Sequence, residues 1–230
     1  VLDGELYFSA RDGTHGYELW KYDGQSIVNM VKDINIGSDA SGPENLTVYN
    51  GRLYFYADDG THGKELMVYS TDGTVSLIED INEGGSNSLI EEIIVFDNKL
   101  YFKADDGQTG RELWVYEESS SPFMVANIQQ GSGSNPSHLT VYGNKLYFQA
   151  ETGDYGRELW AYDGSGKPYL VSDINPGKQN ASPRHMTVYN QSMFFGATTP
   201  KYNAELWEYK CLTKRDTVNV ESCSAYTVPS

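Results

Sequence analysis

Asn50-Gly51-Arg52-Leu53-Tyr54-Phe55-Tyr56-Ala57, continued by Asp58-Asp59-Gly60-Thr61-His62-Gly63 and Lys64-Glu65-Leu66-Met67-Val68-Tyr69, decides the fold because it recurs. Its triplet Leu53-Tyr54-Phe55 has counterparts in Leu6-Tyr7-Phe8, Leu100-Tyr101-Phe102, Leu146-Tyr147-Phe148 and, altered, Met193-Phe194-Phe195; subtraction gives steps of 47, 47, 46 and 47. A second marker keeps the same step: Glu18-Leu19-Trp20, Glu65-Leu66-Met67, Glu112-Leu113-Trp114, Glu158-Leu159-Trp160 and Glu205-Leu206-Trp207. The chain is therefore five copies of one unit over residues 1 to about 210, followed by a tail over 211–230.

Within the second copy the pattern predicts four short strands: Leu46–Tyr49, Arg52–Ala57, Lys64–Tyr69 and Val75–Ile81. Each run is rich in Val, Ile, Tyr, Phe and Leu, and Gly, Asp and Asn separate the runs. Asn50-Gly51 is a strong signal for a two-residue type I′ hairpin, and Asp72-Gly73 marks the third turn. No segment carries a useful 3.6-residue apolar period. Four antiparallel strands per repeat of 40 to 50 residues is the pattern of a propeller blade, so the expected fold is all-β: a five-bladed β-propeller forming one domain over 1–230. Val1-Leu2-Asp3-Gly4 aligns with Val48-Tyr49-Asn50-Gly51, which leaves the first copy short of most of its first strand. The fifth copy lacks a fourth strand, which Asp216–Glu221 can supply, and Ala225–Val228 resembles Asn45–Val48 and is expected to complete the first blade. A tail used in this way closes the ring and removes its open edges.

Composition narrows the function. Asp plus Glu number 32 against 17 for Lys plus Arg, a formal charge of −15, so phosphate backbones and anionic membrane surfaces are repelled and nucleic acid is excluded as a default partner. No window approaches the length of apolar sequence that a membrane helix needs. The chain starts at Val1 with no signal-type segment and reads as a mature or trimmed product. Cys211 and Cys223 are the only cysteines, with no CxxC or zinc pattern, and the reading preferred is one local disulfide in a secreted, extracellular protein. Sequons at Asn45, Asn180 and Asn190 agree with that compartment but arise about as often by chance.

The recurring A-D-D-G-x-x-G-x-E-L-W and D-I-N-x-G core resembles the ELWxxDGT repeat family of large secreted or surface proteins. Asp23-Gly24 and Asp163-Gly164 fit its DG, Asp72-Gly73 fits with one residue inserted, and Glu117-Glu118 departs from it. The resemblance implies extracellular repeats without catalytic activity. The five-by-47 plan is also similar in architecture to the five-bladed tachylectin-type lectins, which bind N-acetylated sugars between blades.

The repeated Glu of E-L-W is expected to accept hydrogen bonds from a neighbouring blade's backbone, with Trp and Tyr filling the space between blades. The loop between second and third strands reads Asp12-Gly13-Thr14-His15-Gly16, Asp59-Gly60-Thr61-His62-Gly63 and Asp106-Gly107-Gln108-Thr109-Gly110, then decays to Thr152-Gly153-Asp154-Tyr155-Gly156 and Thr199-Pro200-Lys201-Tyr202-Asn203. The crossings between blades begin with Asp33-Ile34-Asn35, Asp80-Ile81-Asn82 and Asp173-Ile174-Asn175. Propeller architecture puts both loop types on one face. His15 and His62 fall in the first type, and His138 and His185 are expected in the second. Zinc is disfavoured because equivalent positions on neighbouring blades should lie too far apart and no Cys assists. Calcium suits clustered Asp and backbone carbonyls better, although no D-x-D-x-D-G loop is present, and no other cofactor is expected.

Enzyme motifs are absent: no G-x-S-x-G, H-E-x-x-H, Walker or Rossmann glycine pattern occurs. Repetition produces several equivalent sites, which points to binding rather than catalysis. Two functions stay open, an extracellular multivalent carbohydrate-binding protein taking glycans or glycoproteins, and a structural or adhesive module alongside other subunits of a surface assembly. For the first, the candidate ligand residues are Asp12, His15, Asp59, His62, Asp106, Asp154 and Tyr155: a carboxylate beside the amides of a Gly-bounded turn offers acceptor and donor together, and a ring offers an apolar face.

Overall fold

The computed structural model describes residues 1–118, 120–201, 203–213 and 221–228, with the backbone alone for 212, 213, 221–223 and 226. All regular structure among them is β. The chain divides into two compact units, Val1–Gly133 and Ser134–Ser230. The first holds β1 (Leu6–Ala10), β2 (Glu18–Tyr22) and β3 (Val28–Lys32) as one sheet, and β4 (Glu44–Tyr49), β5 (Arg52–Asp58), β6 (Lys64–Tyr69) and β7 (Val75–Glu79) as the next. Its third sheet is β8 (Glu91–Phe96), β9 (Lys99–Asp105), β10 (Arg111–Tyr116) and β11 (Phe123–Ala126). The second unit holds β12 (Ser137–Tyr142), β13 (Lys145–Thr152), β14 (Gly156–Tyr162) and β15 (Tyr169–Ser172), then β16 (Arg184–Tyr189), β17 (Ser192–Ala197), β18 (Glu205–Thr213) and β19 (Glu221–Thr227). Each sheet is an antiparallel meander paired in chain order.

The turn chemistry read from sequence is realised. Asn50 and Gly51 take φ of 47° and 70°, and Asp3-Gly4, Asp97-Asn98 and Asn190-Gln191 repeat the pair of positive values, as a type I′ hairpin requires. Leu2 and Glu5 bridge across Asp3-Gly4, the remnant of the missing first strand. The second strands are apolar without alternation because both faces are covered: Tyr54, Phe55, Tyr101, Phe102, Tyr147 and Phe148 are all buried. Each apolar cluster mixes two successive sheets. Phe55 packs with Leu19 and Ile34, Phe102 with Tyr54 and Leu66, and Phe195 with Tyr147 and Leu159.

First strands of successive sheets abut within a unit, where Thr47 Oγ1 donates to Ile93 O at 3.3 Å and Asn45 Nδ2 to Ile90 O at 3.2 Å. Each four-stranded sheet has a bulge near the start of its first strand, marked by a left-handed residue: Asn45, Glu92, His138 and His185, with φ of 55–59°.

Four expectations need correction. The fourth strand of the second copy ends at Glu79; Asp80 and Ile81 belong to the crossing, with Ile81 buried as its apolar anchor. The fourth strand of the fifth copy is Glu221–Thr227 and not Asp216–Glu221, because the nine-residue β18 pairs from Thr213↔Glu221 to Trp207↔Thr227; residues 216–220 lie outside the described residues. That pairing also uses Ala225–Thr227, and Val228 N donates to Leu206 O at 2.9 Å, so the segment expected to complete the first sheet serves the fifth. His138 and His185 lie in β12 and β16 rather than in crossings, with ring centroids 5.7 Å apart, so the distance argument against a shared ion fails for this pair.

Candidate functional site

The E-L-W glutamates organise the loop end of each blade. Glu18 Oε2 accepts from Ile34 N at 2.9 Å and from Ser41 Oγ at 2.6 Å, and Oε1 accepts from Ser41 N at 2.9 Å. Glu158 accepts from the amides of Ile174, Asn175 and Ala181 at 2.8–3.2 Å, Glu65 from Ile81 and Asn82, and Glu112 from Gln129. All four side chains are buried. The expected backbone acceptor role is thus real, but its expected donor is corrected: it is not a neighbouring blade's backbone but the crossing that leads out of the same copy.

Burial pushes Glu65 and Glu158 up to about 7, with the hydrogen bonds from their crossings pulling back only in part. The His15 and His62 rings are also raised, chiefly by hydrogen bonds to Asp12 and Asp59. Groups raised in the fold add stability that is complete below their unfolded values and lost as pH climbs through the folded ones. For each buried Glu the window runs from about 4.5 to about 7 and is worth on the order of 3 kcal/mol. Relief of the −15 charge acts in the same direction. The melting temperature should therefore rise by several degrees from pH 8 to pH 5 and fall again below pH 4, where depressed carboxylates such as Asp12 and Asp23 take up protons. A scanning-fluorimetry series that is flat or rising between pH 5 and 8 would contradict this assignment.

The loops come next. Asp12 Oδ1 accepts from the amides of Thr14 and His15 at 2.9 and 2.8 Å, and Oδ2 lies 2.9 Å from His15 Nδ1. Asp59 repeats the set with Thr61 and His62, and its Oδ2 lies 2.8 Å from His62 Nδ1. Asp106 Oδ1 accepts from the amides of Gln108 and Thr109 and from Thr109 Oγ1. The backbone and side chain of His15 hold Asp12 well below the usual carboxylate range. Desolvation works against the same effect at Asp59, yet the hydrogen bonds from His62 and Thr61 outweigh it. In the fourth copy Thr152 Oγ1 takes the capping place, accepting from Tyr155 N at 3.3 Å, while Asp154 and Tyr155 are exposed. The first three aspartates thus spend much of their acceptor capacity closing their own turns.

In the second and third copies both glycines of D-G-x-x-G are packing residues. A Cβ on Gly63 would sit 2.6 Å from Ser86 O, and one on Gly110 2.8 Å from Ser132 O, both in the following crossing. A Cβ on Gly60 would sit 2.5 Å from Asn35 Oδ1, and one on Gly107 the same distance from Asn82 Oδ1, both in the preceding crossing. Gly13, upstream of the first D-I-N, faces open space. In the fifth copy, where β18 runs on into the tail, Asn203 replaces the last glycine.

Crossing, loop and crossing enclose a cleft of about 470 Å³ lined by Asn35, Asp39, Asp58, Thr61 and the backbone of Gly60 and Gly63. Within this unit the two loop types do share one face. The sequence reading missed Asn35, Asp39, Asp58 and Thr61; the repeated Asn of D-I-N was the available signal for the first. Among the described residues no cluster of three or more His, Cys, Asp or Glu is arranged to hold a metal. Cys211 stands opposite Cys223 in the β18–β19 register, no described cysteine is a free thiol, and the Cys223 side chain lies outside the described residues.

No protein-family model matches the chain, and no curated protein matches it. Solved structures do. A prolyl endopeptidase structure is 10% identical with a TM-score of 0.59, over 97% of this chain and 33% of that one. A puromycin-hydrolyzing peptidase of Mycobacterium tuberculosis is 14% identical with a TM-score of 0.55, over 90% and 34%. The β-propeller domain of the Trilobed protease from Pyrococcus furiosus, described as having an open velcro topology, is 11% identical with a TM-score of 0.54, over 89% and 62%. This chain spans about a third of the length of the first two. At such identities the likeness concerns fold alone: the chain is built of β-propeller blades.

Proposed function

We propose that the chain is a five-bladed, non-catalytic propeller domain closing one ring, and that it acts as an extracellular, multivalent carbohydrate-binding protein. The observation carrying this reading is the polar cleft between successive crossings. Asn35, Asp39, Asp58 and Thr61 set amide, carboxylate and hydroxyl groups around exposed glycine backbone, which suits the paired donors and acceptors of a sugar. The loops and crossings that form it recur, so weak single sites on one chain would combine through avidity.

Glycan-array screening followed by calorimetry tests the reading. It expects more than one ligand per chain and at least tenfold weaker binding for the Asp39→Ala/Thr61→Ala variant, with an unchanged melting temperature. No array signal, or binding indifferent to both substitutions, would discard it.

A structural or adhesive module is the second reading. It is favoured by one specific observation: Glu18, Glu65, Glu112 and Glu158, and Gly60, Gly63, Gly107 and Gly110, are all placed against the crossings. Resemblance to ELWxxDGT repeats supports an extracellular setting for either reading. In that setting a Cys211–Cys223 bridge, enclosing eleven residues, would add about 3 kcal/mol by restricting the unfolded chain. Mass spectrometry of native protein should find neither thiol alkylated; two alkylated thiols would remove both the bridge and the compartment argument.

A further inference from the structure

A shift of 93 positions (138 less 45, and 185 less 92) lays the first strands of the fourth and fifth copies over those of the second and third. His138 and His185 then fall on Asn45 and Glu92, the left-handed residues of the β-bulges. With φ of 59° and 55° the two histidines leave their strands from the same backbone conformation, and a bulge of this kind re-aims its side chain. The rings meet, with centroids 5.7 Å apart and planes inclined at 49°. At the sister junction Asn45 Nδ2 donates to Ile90 O at 3.2 Å and so ties one first strand to the next. His138 makes no such bond. Neither imidazole is hydrogen-bonded to another described residue; beyond the sheet ladder the two residues lend only their carbonyls, to Thr140 Oγ1 at 3.1 Å and Thr187 Oγ1 at 3.4 Å. His15 and His62, by contrast, have Nδ1 taken up by Asp12 and Asp59. His138 is half-buried and His185 exposed, so solutes reach both rings.

We infer that His138 and His185 together bind a divalent late first-row transition ion, zinc, nickel or copper, which clips the first strand of the fourth copy to that of the fifth. A ring nitrogen bonded at 2.0–2.1 Å puts the ion about 3.2 Å from its ring centroid, so two imidazoles at the tetrahedral angle have centroids about 5.2 Å apart. The 5.7 Å observed is only slightly more open, and the broad, two-fold χ2 of histidine lets either ring nitrogen turn toward the ion. Imidazole nitrogen suits these metals, whereas calcium and magnesium take oxygen ligands, and the pair itself supplies none from a side chain. A formal charge of −15 concentrates cations around the chain. Among the described residues no third His, Cys, Asp or Glu completes the set, so the remaining coordination positions belong to water and stay open to a small ligand. The ion thus supplies between His138 and His185 the cross-strand tie that Asn45 makes to Ile90 at the sister junction.

Zinc is the probe, titrated into the chelator-stripped full chain at neutral pH by calorimetry, with calcium as the oxygen-seeking comparator. The inference expects one zinc per chain with affinity in the micromolar range, no calcium at the same place, and a melting temperature raised by several degrees at saturating zinc. His138→Asn and His185→Asn should each weaken zinc at least tenfold and remove that rise. Asn is chosen because Asn45 already holds the same left-handed conformation, so the metal-free variants should melt with the wild type. Copper loaded into the wild-type protein gives a reading that needs no variant: its electron paramagnetic resonance spectrum should show coupling to two imidazole nitrogens. No zinc bound at millimolar concentration, affinity unchanged by either substitution, or a copper spectrum without two coupled nitrogens would overturn the inference.

Discussion

Glu65→Ala and Glu158→Ala are each expected to lower the unfolding free energy by about 3–5 kcal/mol in urea titrations. The loss is large because each carboxylate is the acceptor for several donors with no route to water. Removing Glu158 strands the amides of Ile174 and Asn175, while Ala181 N keeps Arg157 O at 3.0 Å, and a buried donor left without a partner costs about 1–3 kcal/mol. Gln in place of Glu should recover only part, since one of its two terminal atoms is a donor facing donors. Glu205 is the internal control. Its Oε2 is buried without a partner among the described residues, so Glu205→Ala should cost under about 1 kcal/mol. Equal losses at all three positions would mean that the glutamates act through the strands and not through the crossings.

Alanine substitution of the loop glycines should give a graded series. Gly13, Gly60 and Gly63 all have positive φ, at 96°, 80° and 72°, so the backbone penalty of about 1–2 kcal/mol is shared. Their surroundings differ. A Cβ at Gly13 meets nothing within 4 Å, one at Gly60 meets the Asn35 side chain, and one at Gly63 meets the carbonyl of Ser86. Gly13→Ala should cost only the backbone term. Gly60→Ala should cost somewhat more as Asn35 swings aside, and Gly63→Ala should reach about 4 kcal/mol or fail to fold, because a backbone carbonyl cannot yield. Denaturation midpoints order the three; a series that does not rise from Gly13 to Gly63 would show that the crossings are not held against the loops.

The five-copy plan, the meander order within each copy and the hairpin turns were legible in the sequence. Each depends on neighbours a few residues apart. Asn50-Gly51 selects its turn through its own φ preferences, and Leu53-Tyr54-Phe55 declares a strand covered on both faces by lacking polar alternation. The recurrence of Glu18 and Gly16 was equally visible, but its reason was not. Glu18 meets Ile34 and Ser41, 16 and 23 residues on, and which amide reaches a carboxylate across that distance depends on the path of the chain. The tail shows the same limit: Ala225–Val228 resembles a first strand, yet the length of β18 settles that it pairs there. Local preference writes the strands and turns; long-range closure decides which repeated residues are spent on packing.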